Sequence, residues 1–414
     1  MASDTDCFDV IVVGAGWAGL GASHYLTRAG LRHRVLERCR IGETWRTQRW
    51  DAFRLNTPNW GYVMPGDEYD GPDPDGFMTR DEFVALLEGF AARNCLPVET
   101  NTPVSELSLD GARGAYRLET LQGALWARNV VIASGSLNRP RRPAVTRALP
   151  LDLLQLDASD YRNPAVLPAG AVLVIGSAQC GGQIAEDLAQ AGRRVFLATG
   201  RVGRMPRRYR GRDMVFWLRR SGLFDVPRKD FVDPSGRIMG RPLLGVGHTV
   251  SLQSLSAQGV VLLGRFTGVK DGQCLIFAAD LEENLRFGDE ASGQFKRHID
   301  AYIAREGINA PAAEDDPDET VAPRLPDPPI LSLDPSECGL ASVIWCTGFE
   351  GDFGWVKVPG ALDARGQPVH QEGVAQRSGL YFAGLDFAST RKSGTLLSLT
   401  EEAPRLISHI LAWH

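Results

Sequence analysis

Residues 7–38 read "CFDVIVVGAGWAGLGASHYLTRAGLRHRVLER", and this stretch decides the fold. An apolar strand leads into a glycine-rich turn, then a helix, then a second strand that ends at Glu37. Gly14 permits the sharp turn, Gly16 lets a pyrophosphate approach the backbone, and Gly19 lets the helix pack close to the strand. An acid at the end of the second strand accepts a hydrogen bond from a ribose hydroxyl. The pattern predicts a β-α-β unit for FAD or NAD rather than NADP, because Glu37 would repel a 2′-phosphate.

The same layout returns at residues 171–201, "AVLVIGSAQCGGQIAEDLAQAGRRVFLATGR". Gly176 and Gly181 match the first and third glycines, but Ala178 stands where the second glycine would be. Its methyl group would hold a pyrophosphate further from the backbone and weaken binding. No acid closes this second strand; Arg201 follows it, and a guanidinium suits a 2′-phosphate. The second loop therefore predicts NADPH, with NADH not excluded, and a relict fold that binds nothing is the alternative.

Eight arginines lie between Arg201 and Arg220, next to the ribose end of the second predicted nucleotide site. Such a cluster favours recognition of a phosphate, and a solvated basic face is the alternative for each arginine after Arg201. A nucleic-acid surface is disfavoured because no aromatic-basic alternation or RNA-binding motif accompanies the cluster.

The composition is that of an ordinary soluble globular protein. The chain has 414 residues, 43% of them apolar, and a net charge of −5, which allows two or three domains and gives no indication of a nucleic-acid or membrane partner. The seven cysteines never form a CxxC pair, which predicts a cytoplasmic protein, and the seven histidines show no metal-binding spacing. Homo-oligomerisation is left open.

Between and after the two loops, local patterns predict the remaining elements. A capping-box spacing starts a helix near Thr79, and short strands cover 104–109, 116–120 and 124–132. The proline-rich, acidic segment 311–329 reads as a surface loop or return link. A terminal helix is expected to begin near Ser393 or Gly394, with Arg391 and Lys392 adding positive charge near a flavin. Plain surface charge is the alternative for these two residues.

These elements predict an α/β fold with two Rossmann-like dinucleotide-binding domains. Residues 1–150 and 335–414 would form an FAD domain, and residues 151–334 an inserted NADPH domain.

Six short motifs then occur in order: "GAGWAG", "IGETWR", "RLNTPNW", "VIGSAQCGG", "VIWCTGF" and "GLYFAG". Together they resemble the class B flavin-dependent monooxygenases, which include flavin-containing, N-hydroxylating and plant YUCCA-type enzymes, and most of all the bacterial CzcO-like flavoproteins. The resemblance implies that NADPH reduces FAD, that reduced FAD captures O2 as a C4a-(hydro)peroxide, and that a small organic substrate takes one oxygen atom. Such chemistry needs a dry pocket, because water releases hydrogen peroxide.

The resemblance also implies site residues. Asn56 would be catalytic, supporting the hydroperoxide or NADP⁺, although a turn-forming role before Pro58 is the alternative. Trp45 and Arg46 would line the flavin, with a structural tryptophan as the alternative for Trp45. The full set of expected cofactor-binding residues is Gly14, Gly16, Gly19, Glu37, Arg38, Trp45, Arg46, Asn56, Gly176, Ser177, Gln179, Gly181, Arg201, Thr347, Gly348, Gly384, Asp386 and Thr395; no metal is expected.

One departure from the family concerns its fingerprint FxGxxxHxxxY or W. The corresponding positions here are Leu151, Leu153, Asp157 and Tyr161, so only the last one matches. Because the family histidine is thought to couple domain motion to NADPH oxidation, Asp157 puts that coupling in doubt. Tyr161 and the short chain favour oxygenation at a heteroatom, by N-hydroxylation or by S- or N-oxidation, over Baeyer–Villiger chemistry. The alternatives are an NADPH oxidase or reductase that passes electrons to a partner or to O2, and a non-catalytic regulator.

Overall fold

A computed structural model of the chain describes residues 7–150, 153–232, 238, 240–271 and 273–412. The α-helices are α1 (Trp17–Arg28), α2 (Glu43–Thr47), α3 (Arg80–Arg93), α4 (Gln179–Gln190), α5 (Met214–Arg220), α6 (Leu252–Ala257), α7 (Leu281–Glu306), α8 (Pro317–Thr320), α9 (Pro335–Cys338) and α10 (Leu399–Ala412). Short 3-10 helices lie at Asn59–Gly61, Ala144–Ala148, Pro164–Val166, Leu223–Asp225, Arg228–Asp230 and Leu396–Ser398.

The strands are mostly short. They are β1 (Cys7–Val13), β2 (His33–Leu36), β3 (Val63–Met64), β4 (Asp67–Glu68), β5 (Val98–Glu99), β6 (Val104–Asp110), β7 (Ala115–Thr120), β8 (Gly123–Ile132), β9 (Arg139–Pro140), β10 (Leu154–Asp157), β11 (Ala171–Ile175), β12 (Val195–Ala198), β13 (Arg208–Tyr209), β14 (Arg212–Asp213), β15 (Val261–Leu263), β16 (Phe266–Lys270), β17 (Cys274–Phe277), β18 (Ser332–Leu333), β19 (Leu340–Trp345), β20 (Phe349–Glu350), β21 (His370–Gln371), β22 (Val374–Ala375) and β23 (Leu380–Phe382).

The first sheet is built around β1. Its strand order is β21-β22-β23-β8-β1-β2-β5, and the antiparallel pair β6-β7 continues from β8. Strand β1 pairs in parallel with β2 and β8, and β23 pairs in parallel with β8. The apolar run of β1 is buried because α1, α3 and α10 cover one face of the sheet, while β6, β7 and the segment around Val356 cover the other.

The second sheet has the order β10-β19-β11-β12-β15, and all its pairs are parallel. The two sheets confirm the predicted α/β class. Strand β19 lies between β10 and β11, so the chain leaves this sheet after Trp345, later than the expected boundary at residue 334. A buried apolar run such as β19 carries no local signal for the sheet that it joins.

Helix α10 packs against α1 at a glycine. A Cβ on Gly21 would lie 2.4 Å from the Cδ1 of Leu399, so the absence of a side chain lets the terminal helix pack closely. This helix begins at Leu399, after the 3-10 turn Leu396–Ser398, which is later than the predicted start near Ser393 or Gly394. By contrast, the capping box at Thr79 and Glu82 is confirmed and starts α3 at Arg80.

The acidic segment at 311–329 is more than a surface link. The side chain of Glu319, at the end of α8, is only 5% exposed and binds Arg204 at 3.2 Å and Lys296 at 2.5 Å. Glu319 is therefore an exception within the predicted surface loop, because its cationic partners come from segments distant in the sequence.

Candidate functional site

The first glycine loop leaves its helix N-terminus open. Gly14 has φ +109°, and a Cβ there would lie 2.5 Å from the carbonyl oxygen of Ala133, while a Cβ on Gly19 would lie 1.9 Å from the oxygen of Gly14. At Gly16 a Cβ would meet nothing within 4 Å, and no side chain caps α1. The first N–H groups of α1 therefore remain available to an anion such as a pyrophosphate.

Two adjoining cavities lie beside this loop. The first, about 360 Å³, is lined among others by Gly14, Gly16, Glu37, Arg38 and Trp45. The second, about 130 Å³, is lined by Gly384 and Thr395 and shares Trp17, Ala18, Trp45, Ala383 and Gly394 with the first. The structure thus brings seven of the expected cofactor-binding residues around one cleft, into which an extended dinucleotide could fit.

Glu37 is tied to the backbone of the loop. Its side chain is buried, one carboxylate oxygen accepts the N–H of Ala15 at 2.8 Å, and the other accepts the N–H of Cys39 at 3.1 Å. A carboxylate has about four acceptor positions, so a ribose hydroxyl can still bind.

Four of the expected residues that lie outside the linings of these two cavities contact other parts of the chain instead. Arg46 binds the carboxylate of Glu88 at 2.5 Å, and Asp386 binds Arg241 at 2.5 Å. The Thr347 hydroxyl donates to the carbonyl oxygen of Arg141 at 2.7 Å, and the carbonyl oxygen of Gly348 accepts the N–H of Arg141. Arg46 and Asp386 lie outside the cavity linings because each is held in an ion pair. The motifs around them do not reveal these distant partners.

Lys392 does not supply free charge near the cleft. Its ammonium binds Asp225 and Glu401, each at 2.5 Å, so two carboxylates offset its charge. The expected role beside a flavin is therefore wrong for Lys392. Arg391 lies with its guanidinium 5.1 Å from the ring centre of Phe231, and burial lowers the pKa of Arg391.

Asn56 contacts two residues from the part of the chain that contains and follows the second glycine loop. Its side-chain oxygen accepts from Nε2 of Gln183 at 3.4 Å, and its backbone carbonyl accepts from Arg207 at 2.9 Å. Gln183 is on α4, which follows the second glycine loop. Neither partner was predicted from the sequence; the only signal for Gln183 is a polar side chain on a buried helix face.

The second glycine loop repeats the backbone of the first. Ala178 has φ −75° and ψ −165°, close to the φ −86° and ψ −171° of Gly16, and a Cβ on Gly181 would lie 1.7 Å from the oxygen of Gly176. The methyl group of Ala178 is therefore a local addition that leaves the turn unchanged.

Polar side chains of the second loop are bound to nearby backbone. The carboxamide of Gln179 donates to the carbonyl of Leu244 at 2.8 Å and accepts its N–H at 3.1 Å. The Ser177 hydroxyl accepts the N–H of Gly200 at 3.1 Å. These bonds hold the segment around Leu244 and the end of β12 against the loop.

The arginine cluster is divided in two. Arg204, Arg207 and Arg210 are held in ion pairs with Asp289 and Glu319, with Asp213, and with Asp300 respectively. Arg204 and Arg207 are also buried, so neither the phosphate-binding nor the solvated interpretation holds for those two. Arg201, in contrast, is 65% exposed in its side chain and lies 3.5 Å from Glu283.

The family fingerprint region is held by polar contacts. Asp157 accepts from Nε of Arg142 at 2.6 Å, and the buried Tyr161 hydroxyl donates to Asp187 at 2.6 Å. Burial raises the pKa of both Tyr161 and Asp187. Leu153 is buried, whereas Leu151 lies outside the described residues.

Within the described residues, no group of three or more His, Cys, Asp or Glu side chains could hold a metal ion. In the same residues, no helix is both long enough and apolar enough to cross a membrane.

Comparison with known proteins places this architecture among redox proteins. Residues 11–219 match the pyridine nucleotide-disulphide oxidoreductase family. A CzcO-like uncharacterised oxidoreductase of Geobacillus kaustophilus is 30% identical over 97% of this chain and 98% of its own length. The indole-3-pyruvate monooxygenase YUCCA1 of Oryza sativa is 30% identical over 44% of this chain and 45% of its own. Among solved structures, a flavin-containing monooxygenase from Stenotrophomonas maltophilia superposes with a TM-score of 0.65 at 20% identity, over 99% of both chains.

Proposed function

Because this chain belongs to the pyridine nucleotide-disulphide oxidoreductase family, we propose that it is an FAD- and NADPH-dependent monooxygenase. Its CzcO-like and YUCCA relatives confirm the resemblance to the class B flavin monooxygenases. Disulphide reduction, which the family description includes, is not proposed, because the chain has no CxxC pair to carry it.

The observation that carries the proposal is the pair of glycine loops with the same backbone, one of them opening on a cleft. The loop at Gly14–Gly19, with its two adjoining cavities, fits FAD, since Gly16 faces open space and the N–H groups of α1 lack side-chain caps. The loop at Gly176–Gly181 holds NADPH, and the exposed Arg201 after β12 is available to its 2′-phosphate. Bound flavin would accept a hydride from NADPH and activate O2.

We assign the first sheet with its loop to an FAD-binding Rossmann-like domain, residues 1–150 and the C-terminal part of the chain. The inserted NADPH-binding domain begins at residue 151 and extends through β19, because β19 is hydrogen-bonded within the second sheet. Each domain would then bind one nucleotide, and the two nucleotides would meet at a site between the domains.

The role proposed for Asn56 follows from its partners. Gln183 orients its carboxamide and Arg207 holds its backbone, and both partners belong to the NADPH side. Asn56 would thus present a fixed hydrogen-bonding group to both cofactors, and its position depends on how the two domains meet.

Oxygenation at a nitrogen or sulfur atom is the finer part of the proposal. The tyrosine at position 161 and the short chain support it, through the resemblance to the class B flavin monooxygenases. The second candidate is an NADPH oxidase or reductase, favoured by Asp157, which binds Arg142 where the family has a histidine.

The test measures what becomes of the oxygen. FAD-loaded protein is supplied with NADPH, ¹⁸O2 and panels of amines and thioethers, while NADPH consumption and hydrogen peroxide release are followed. We expect ¹⁸O in a product and less peroxide than NADPH consumed. In Asn56→Ala we expect NADPH still to reduce the flavin but the peroxide to become stoichiometric, whereas Asn163→Ala, outside the site, behaves as the parent. Stoichiometric peroxide from the parent with every compound, and no label transfer, would establish the oxidase instead.

A further inference from the structure

A cavity of about 500 Å³, separate from the flavin cleft, is walled by arginines and aromatic rings. Its volume lies in the usual range for small-molecule sites. It opens between α5 and the loop that follows Asn56. The residues that matter are Trp60, Arg208, Arg212, Phe216, Arg219 and Arg220.

The four arginines of this cavity are exposed, and none of them forms an ion pair with another residue of the described chain. Their neighbours Arg204, Arg207 and Arg210 all have carboxylate partners. Arginines with and without a carboxylate partner therefore occur within the same twenty described residues. Arg208 donates only to the carbonyl of Gly211, at 2.9 Å. Four guanidinium groups around one cavity repel each other, and a bound anion would relieve that repulsion.

The walls also offer apolar surface. The guanidinium of Arg212 lies 5.3 Å from the ring centre of Phe216. A second cavity, of about 350 Å³, shares Arg212, Phe216 and Arg220 with the first and adds Trp217 and Ile308. A ligand with an anionic group and an apolar body therefore matches this surface better than a bare ion. Asp75, which also lines the first cavity, offsets only part of the positive charge.

The wall of the cavity is linked to Asn56 by side-chain contacts. Asp213, another lining residue, pairs with Arg207, which holds the carbonyl of Asn56. Trp60 and Leu397 pack against the same apolar cluster, and Leu396 lines the flavin cleft. Arg201, proposed for the 2′-phosphate, does not line this cavity, so the two basic sites are distinct.

We propose that this cavity binds the anionic group of the substrate, a small organic acid whose apolar body lies against Trp60 and Phe216. Naming this ligand as the substrate rests on the proposed function, but anion binding itself does not. The acid is a carboxylate or a phosphate monoester, since both offer oxygens to the guanidinium groups.

The test is calorimetric titration of the FAD-loaded protein with matched probes. These are 4-phenylbutyrate, 4-phenylbutyl phosphate, the neutral 4-phenylbutanol, the cationic 4-phenylbutylamine and inorganic phosphate. We expect at least one of the two acids to bind, with the alcohol, the amine and inorganic phosphate each at least about tenfold weaker. Whichever of these two acids binds more tightly shows whether the anionic group of the ligand is a carboxylate or a phosphate monoester.

Two variants locate the site. The double variant Arg212→Gln with Arg220→Gln should weaken acid binding at least about tenfold, with FAD content and NADPH-dependent flavin reduction unchanged. The control Arg286→Gln, an exposed arginine on α7, should bind the acid as the parent does. The proposal fails if neither acid binds, if the amine binds equally well, or if the double variant is unaffected.

These outcomes are separable from those of the proposed function. Acid binding that depends on Arg212 and Arg220, without ¹⁸O transfer to any compound, would keep the site and reject the monooxygenase. Transfer of ¹⁸O to an amine, with no acid binding, would keep the monooxygenase and reject this site.

Discussion

The carboxylate of Glu37 accepts the backbone N–H of Ala15 at 2.8 Å, although the two residues are 22 positions apart. The acid that ends β2 therefore acts on the glycine loop itself, by holding the turn between β1 and α1. A residue expected to recognise a ribose also shapes the place where the pyrophosphate would bind.

Changing Glu37 to Gln should weaken FAD binding about tenfold, because a charge-assisted bond is lost and an amide N–H₂ faces a backbone N–H. The measurement is titration of the apoprotein with FAD, followed by flavin fluorescence. Glu99→Gln, which loses a partly exposed pair with Arg34, is the matched control and should bind FAD normally. An unchanged FAD dissociation constant in the Glu37 variant would show that this contact is not part of the binding site.

The two glycine loops offer an exchange experiment at one structural position. Because Gly16 and Ala178 share the same backbone conformation, Ala178→Gly should tighten NADP⁺ binding several-fold, and Gly16→Ala should weaken FAD binding. Calorimetry with each nucleotide provides the measurement. If Ala178→Gly leaves NADP⁺ affinity unchanged, the methyl group does not lie in the path of the nucleotide.

Glu319 should strongly stabilise the packing of α8 against Arg204 and α7. Glu319→Gln removes one of the two carboxylates that pair with Arg204 and the carboxylate that pairs with Lys296, which should cost about 2–3 kcal/mol in the free energy of unfolding. Urea unfolding measures this loss. Glu283→Gln, from the exposed pair with Arg201, should cost no more than about 1 kcal/mol. Equal losses in the two variants would contradict the argument.

His33 should make the stability of the first sheet sensitive to acid. Burial lowers the pKa of His33 below its ordinary value of 6.5, and its ring contacts Ser23 at 2.8 Å and the carbonyl of Leu31 at 2.9 Å. In the unfolded chain the ring takes up a proton as the pH falls through about 6.5, while in the folded protein it does so only at lower pH. Stability is therefore lost on acidification below about pH 6.5.

In His33→Gln this loss is removed, so the difference in melting temperature between about pH 7.5 and about pH 5 should be smaller than in the parent. His409→Gln, an exposed histidine at the end of α10, should retain the parent's difference. The same pH dependence in the parent and the His33 variant would place the acid sensitivity elsewhere.

Much of the site could be predicted because its signals are local. The spacing of Gly14, Gly16 and Gly19 specifies a strand, turn and helix by itself, and the repeat at Gly176 and Gly181 does the same. The start of α3 followed from a capping box of four consecutive residues.

The remaining features depend on residues distant in the sequence. Nothing near Arg204 or Arg46 shows that Glu319 or Glu88 will be its partner, so paired and free arginines look alike in the sequence. The contact between Gln183 and Asn56 likewise exists only once the two sheets meet.

The sequence alone determined that this chain builds two glycine-rich strand–turn–helix loops, since each loop is specified by steric requirements within about thirty consecutive residues. Only the tertiary structure decided that β19 joins the second sheet and that four arginines around one cavity have no carboxylate partner among the described residues. The physical reason is that strand neighbours and charge partners are chosen by packing in three dimensions, over separations that no local pattern records.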